Sequence, residues 1–132
     1  MYRFTVFIAS LCVLASTARA ADPIELITTP IQKAYIPVGF DDNDRSEMYV
    51  TGFLPDGCHR IGPYQVNVDE RKQTVAIEQS AYKHPGPCIS MLIPYAHVAN
   101  LGVVGSGEYQ VVDSTSNKKL GALSVARSTK PI

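Results

Sequence analysis

Proline and glycine set the strongest limit on what this chain can fold into. Nine prolines and nine glycines are spread over the sequence after residue 20, and the intervals between them rarely leave room for a helix of three turns. Proline interrupts helices and the interior of sheets, and both residue types favour turns. The sequence therefore predicts short strands joined by turns.

The first 20 residues have the pattern of a secretory signal peptide. Arg3 precedes an apolar stretch from Phe4 to Ala15, and small residues follow it up to Ala20. We expect cleavage after Ala20 and one domain over residues 21–132, a length that closes a single hydrophobic core. The apolar stretch is shorter than the roughly 20 residues of a bilayer span, so we expect no membrane span after signal cleavage.

The charge balance argues against two classes of partner. The chain has twelve basic and twelve acidic side chains, and loss of the leader with Arg3 and Arg19 leaves a small negative net charge. Binding to nucleic acid or to an anionic membrane calls for clustered lysine and arginine. We therefore expect neither of these partners.

The cysteines predict one disulfide bond. Cys12 lies inside the apolar leader, so the exported chain keeps only Cys58 and Cys88. An even number of cysteines in a chain sent to an oxidising compartment indicates a bridge. A reactive thiol pair would have a closer spacing, such as Cys-x-x-Cys. The expected location is the periplasm or the extracellular space.

Seven segments have the composition of short strands. They alternate apolar and polar residues or form short apolar runs that stop at proline, glycine or charged residues. The run that begins at Cys88 is expected to be covered on both faces and to end at Pro94. The seven predicted strands span residues 24–31, 47–54, 64–69, 73–79, 88–93, 109–112 and 120–125. Strands of this number and spacing predict an all-β, two-sheet sandwich.

One late segment carries a resemblance to a known architecture. The pattern Val103, Gly107, Tyr109, Val111 resembles the tyrosine corner of immunoglobulin-like and fibronectin type III domains. This resemblance implies an immunoglobulin-like sandwich in which Tyr109 bonds its hydroxyl to a backbone group. Three other segments resemble features of small exported bacterial proteins of unassigned role: residues 39–44, 52–58 and 93–95.

No pattern in the sequence predicts catalysis, a cofactor or a metal. Ser106 lies between two glycines but lacks the Gly-x-Ser-x-Gly elbow of a hydrolase. The run from Asp41 to Asp44 lacks the ligand spacing of a calcium loop. His59, His84 and His97 are too scattered to indicate a zinc site. We therefore expect no catalytic residue, no cofactor and no metal ligand.

The segment before Cys88 is the candidate recognition loop. Tyr82, Lys83, His84 and Pro85 give a stiff, aromatic and polar connection beside the expected bridge. The alternative is an ordinary connecting loop that the expected disulfide bond holds in place. The sequence thus favours a noncatalytic domain that binds an unknown protein or cell-envelope component. The other hypothesis is a secreted inhibitor of a protease or of lysozyme that inserts this loop into its target.

Overall fold

The computed structural model describes residues 23–129, which form nine β-strands. Proline directly follows two of the strand ends, at Thr29 and Leu54, as the composition predicts. The strands are β1 (Glu25–Thr29), β2 (Lys33–Tyr35), β3 (Phe40–Asp41), β4 (Arg45–Leu54), β5 (His59–Asp69), β6 (Thr74–Lys83), β7 (Ile93–Val103), β8 (Gly107–Asp113) and β9 (Lys119–Ala126).

The strands form two sheets. The smaller sheet has three antiparallel strands in the order β2-β4-β7. The larger sheet follows the order β1-β6-β8-β9-β3, and β5 lies on the other side of β6. Strand β6 pairs with β1 through its second half and with β8 through its first half.

The core lies between the two sheets. Alternating residues of β4 and β7 face inward from the small sheet, and alternating residues of β6, β8 and β9 meet them from the large sheet. Fully or almost fully buried members include Met48, Val50, Ala99, Val75, Ile77, Val111 and Leu123. The two-sheet β-sandwich predicted from the sequence is confirmed.

Two strand pairings differ from the immunoglobulin pattern. The sheets of immunoglobulin domains are antiparallel, whereas β6 and β8 pair in parallel between Thr74–Ile77 and Gln110–Asp113, and the short β3 pairs in parallel with β9. The long β6–β7–β8 connection crosses to the small sheet and back, which brings β8 beside β6 in the same direction. The resemblance therefore rests on Tyr109, whose hydroxyl donates to the carbonyl of Gly105 at 2.9 Å.

Two predicted strands are corrected by the structure. The early strand predicted over residues 24–31 ends at Thr29, and β2 and β3 follow it as separate short strands. The strand predicted over residues 88–93 is wrong, because residues 88–92 form an exposed loop. Strand β7 begins at Ile93 and continues through Pro94, since β7 is an edge strand on which a missing N–H breaks no pairing.

The predicted signal peptide, residues 1–20, lies outside the described residues. Between Pro23 and Thr129 no helix has the length and hydrophobicity that a membrane crossing requires.

Candidate functional site

The outward side of the small sheet carries a continuous set of apolar side chains. Strands β4 and β7 bury every second residue against the core, so the residues between them point to solvent. Strand β2 adds Tyr35 beside β4. We call this set the outer face, and it consists of Tyr35, Tyr49, Phe53, Pro94, Ala96 and Val98.

Strand register places the outer-face residues in rows. Tyr35 is opposite Tyr49, and Tyr49 is opposite Val98, so one row crosses all three strands. Phe53 is opposite Pro94 in a second row nearer the end of the sheet. The side chains of Tyr35, Tyr49 and Val98 are 70%, 46% and 53% exposed. Aromatic residues are enriched in protein interfaces, and a contiguous exposed apolar patch commonly marks one.

Two grooves border the Phe53 side chain. One groove, of about 440 Å³, is lined by Phe53, Pro94, Lys33 and Gln32 among others. The second, of about 360 Å³, lies between Phe53 and Lys118. The Lys118 ammonium donates to the carbonyl of Gln32 at 2.9 Å. This bond connects the Lys118 and Gln32 sides of the second groove. The outer face is therefore bordered by two grooves and by the cations of Lys33 and Lys118, in addition to its own apolar side chains.

A buried tyrosine supports the sheet beneath Phe53. Tyr95 packs below Gly52, where an added Cβ would lie 2.5 Å from Cζ of the ring. The Tyr95 hydroxyl donates to the carbonyl of Pro30 at 3.1 Å. Burial, with a smaller effect from the charge of Asp113, raises the pKa of Tyr95 to about 12. The ring stays neutral and fixed, so the outer face rests on a rigid layer.

A polar cluster packs against the core side of β7 at His97. Gln79 is fully buried, and its amide donates to the carbonyls of Gly62 and Ser80. Its Oε1 accepts a hydrogen bond from Nε2 of His97 at 2.5 Å, because the amide nitrogen of Gln79 already donates to the backbone. The His97 ring stacks on Tyr64 with 5.1 Å between centroids. These contacts hold the backbone of β7 in place behind its exposed side chains.

The second candidate region is the corner that holds the disulfide bond. Cys58 and Cys88 are bridged, with 5.2 Å between their Cα atoms, which confirms the predicted bond. Oδ1 of Asp56 accepts from the Cys58 N–H and lies 2.7 Å from Nδ1 of His59. The hydrogen bond with His59, followed by the one from Cys58, lowers the pKa of Asp56. We call Asp56, Cys58, His59 and Cys88 the disulfide corner.

The disulfide corner also brings together possible metal ligands. One ligand atom each from Asp56, Cys58 and Cys88 lies within 4.8 Å of the other two. With the bridge closed, neither sulfur is a thiolate, and zinc binds the thiolate form. While the bridge is closed, the cluster is therefore one carboxylate, that of Asp56, beside a disulfide bond.

Comparison with protein-family models identifies the class of domain. The model of the ORF11 beta-sandwich domain matches residues 48–118, more than half of the chain. The chain belongs to the ORF11 beta-sandwich family. Searches of curated proteins and of solved structures gave no match to this chain.

The family match covers most of the outer face and the whole disulfide corner. It runs from β4 through β8 and ends just before β9. Tyr49, Phe53 and Val98 lie inside it, whereas Tyr35 lies before its start. In this ORF11 beta-sandwich domain the outer face thus combines residues of the matched region with one residue of β2.

The candidate recognition loop is only partly a loop. Tyr82 and Lys83 are the last residues of β6 and pair with both β1 and β5. The connection begins at His84, whose N–H donates to the carbonyl of Cys58 at 2.8 Å, and continues through Pro85. Its exposed tip lies further along and consists of Ile89, Met91 and Leu92, which are 57–72% exposed.

The other residues considered from the sequence have structural roles or local hydrogen-bond partners. Tyr109 is buried at 2% exposure in the core, and burial is the main cause that raises its pKa. His59 lies in the disulfide corner, and His84 follows β6 beside that corner, with its N–H on the carbonyl of Cys58. His97 lies within β7, with its ring against Tyr64. The acidic run is held by its own backbone contacts, since the Asn43 N–H donates to Asp41 and the Asp41 N–H to Asp44.

Sequence reasoning missed the outer face. It identified a strand over residues 47–54 but assigned no role to its faces, and it placed no strand at Tyr35. The sequence did contain one signal, the alternation of side chains along the strand. Tyr49, Thr51 and Phe53 lie on one side of it, and Met48, Val50 and Leu54 lie on the other. Whether that side meets a second sheet or solvent is decided by tertiary packing.

Proposed function

We propose that this chain is an exported, noncatalytic binding domain whose outer face takes a protein or cell-envelope partner. The observation that carries the proposal is the row Tyr35–Tyr49–Val98, which exposes two aromatic rings and an aliphatic side chain across three paired strands. Such side chains bury large apolar areas at low entropic cost when they are mounted on a rigid sheet.

Location and chemistry support the same proposal. The disulfide is consistent with an oxidising compartment, and the expected signal peptide would deliver the chain there. The outer face presents rings and aliphatic groups around Thr51 rather than an acid–base pair or an activated nucleophile. Binding at this face requires no chemistry beyond apolar burial and the hydrogen bonds of its polar margin.

A second candidate function is favoured by the pinned β6–β7 loop. The bridge at Cys88 and the Gly57 N–H donated to Ile89 at 2.9 Å hold this loop against the β4–β5 turn. A rigid loop with an apolar tip fits the active-site cleft of a hydrolase, because little flexibility is lost on binding. This alternative is an inhibitor of a protease or of lysozyme.

One affinity experiment separates the two functions. The mature domain is immobilised and used to recover partners from a cell-envelope fraction. It is compared with Tyr35→Ser/Tyr49→Ser on the outer face and Met91→Ser/Leu92→Ser on the loop tip. Each pair removes two exposed apolar side chains and leaves the core intact, so each variant is the matched control for the other.

The proposed function predicts that the outer-face variant alone loses the partner. Photo-crosslinking from position 49 should then label the same protein or envelope component. Loss in the loop variant alone, with recovery of a hydrolase that the wild-type domain inhibits, would replace the proposal with the inhibitor. Retention of the partner by both variants would refute both functions.

A further inference from the structure

We propose that the disulfide corner is a redox-gated zinc site, formed by Asp56, Cys58 and Cys88 when the bridge is reduced. The three side chains already place their ligand atoms within 4.8 Å of one another. Two thiolates and one carboxylate are ligands that zinc accepts in protein sites. A water molecule would complete the tetrahedron.

The geometry requires only a small movement of the sulfurs. Zn–S bonds of about 2.3 Å put two thiolates of a tetrahedral site about 3.8 Å apart. Cys58 is buried in the turn directly before β5, whereas Cys88 is exposed in the β6–β7 loop. The separation can therefore come from the Cys88 side chain and leave the strands in place. Exposure of Cys88 also opens the bridge to a reductant.

His59 gives the carboxylate the support that metal ligands commonly have. Its Nδ1 lies 2.7 Å from Oδ1 of Asp56, and the ring is almost fully buried. Carboxylates that ligate metals are commonly hydrogen-bonded by a second group, which orients them. The Cys58 N–H on the same oxygen fixes the carboxylate beside the sulfurs. The second carboxylate oxygen is then the one that meets the metal.

The chemistry balances with a dithiol as reductant. The dithiol gives two electrons and two protons to the Cys58–Cys88 bond, which becomes two thiols, and the reductant closes to its own disulfide. Zinc then binds both sulfurs and displaces the two thiol protons to solvent. Cys58 and Cys88 are thus linked in one of two ways, by a disulfide bond under oxidising conditions and through a zinc ion under reducing conditions.

The test compares reduced and oxidised protein in zinc and cobalt titrations. The probes are Zn²⁺, followed by melting temperature, and Co²⁺, followed by the absorption of thiolate-bound tetrahedral cobalt. Reduced wild type should show the cobalt spectrum, and zinc should restore a large part of the melting temperature lost on reduction. Oxidised wild type should show neither effect. If reduction unfolds the chain, zinc should restore its far-ultraviolet circular dichroism.

Matched variants assign the ligands. Asp56→Asn keeps an acceptor oxygen for the Cys58 N–H and should lower the zinc affinity of the reduced protein tenfold or more. Glu25→Gln removes an acidic group at the same end of the sandwich and should leave that affinity unchanged. Absence of zinc binding by the reduced chain would overturn the proposal. Equal affinity in Asp56→Asn and wild type would also overturn it, because thiols alone would then explain the binding.

Discussion

Truncation of Tyr109 tests whether its ring and its hydroxyl contribute to stability as the structure indicates. The side chain is 2% exposed in the core, and its hydroxyl donates to the carbonyl of Gly105. Tyr109→Phe keeps the ring and removes one neutral hydrogen bond, which costs about 1 kcal/mol. Gly105 is only partly buried, so water can reach the freed carbonyl and the cost should not rise far above this value. Tyr109→Ala empties the ring's volume and should cost about 3–5 kcal/mol.

Urea unfolding followed by circular dichroism measures both changes, with thermal melts as a second readout. A cost of about 1 kcal/mol corresponds to a melting temperature lower by roughly 4–8 °C in a domain of this size. Tyr49→Phe is the control, because that ring lies on the outer face and its loss of a hydroxyl should change stability by less than about 0.5 kcal/mol. If Tyr109→Phe and Tyr109→Ala were equally stable, or as stable as wild type, the burial of this ring and its role as a structural corner would be refuted.

Three further predictions concern export, the bridge and pH. Intact mass of the exported protein should correspond to a chain that begins at Ala21, and a mass retaining the leader would contradict the signal-peptide assignment. Cys58→Ser should lower the free energy of unfolding by about 3 kcal/mol, and thiol titration of native wild type should find no free cysteine. Because the pKa of Asp56 is lowered on folding, its contribution should be complete above about pH 5 and lost as pH falls below about 4. Asp56→Asn should flatten that part of the stability profile, and an unchanged profile would contradict the role of the His59 contact.

Some of the fold could be read from local patterns because those patterns are set by neighbouring residues. Residues 64–69 alternate in side-chain polarity, and the structure places them inside β5 with the apolar side inward. The polar segment from Asp113 to Lys119 joins β8 to β9 as predicted, because Asp113 accepts from Thr115 and Ser116 within the turn. Turn chemistry of this kind is local, so it survives in any tertiary context.

The segment after Cys88 shows where local reasoning fails. A run of apolar residues predicts a buried strand, but Ile89, Met91 and Leu92 are exposed in a loop. The bridge to Cys58 and the Gly57–Ile89 hydrogen bond fix the backbone there. A covalent constraint between distant residues thus overrides the preference of a short apolar run for the core.

The sequence by itself determined that this chain forms short strands, that they fold into a two-sheet sandwich, and that Cys58 and Cys88 pair. These features follow from turn residues, period-two alternation and the count of thiols, all of which are properties of the chain without its partners in space. Tertiary structure alone decided that β6 and β8 run in parallel, that Tyr35 joins Tyr49 on an exposed face, and that Tyr64 stacks on His97. Each of these depends on which strands become neighbours, and strand pairing is chosen by the burial of the whole core rather than by any one segment.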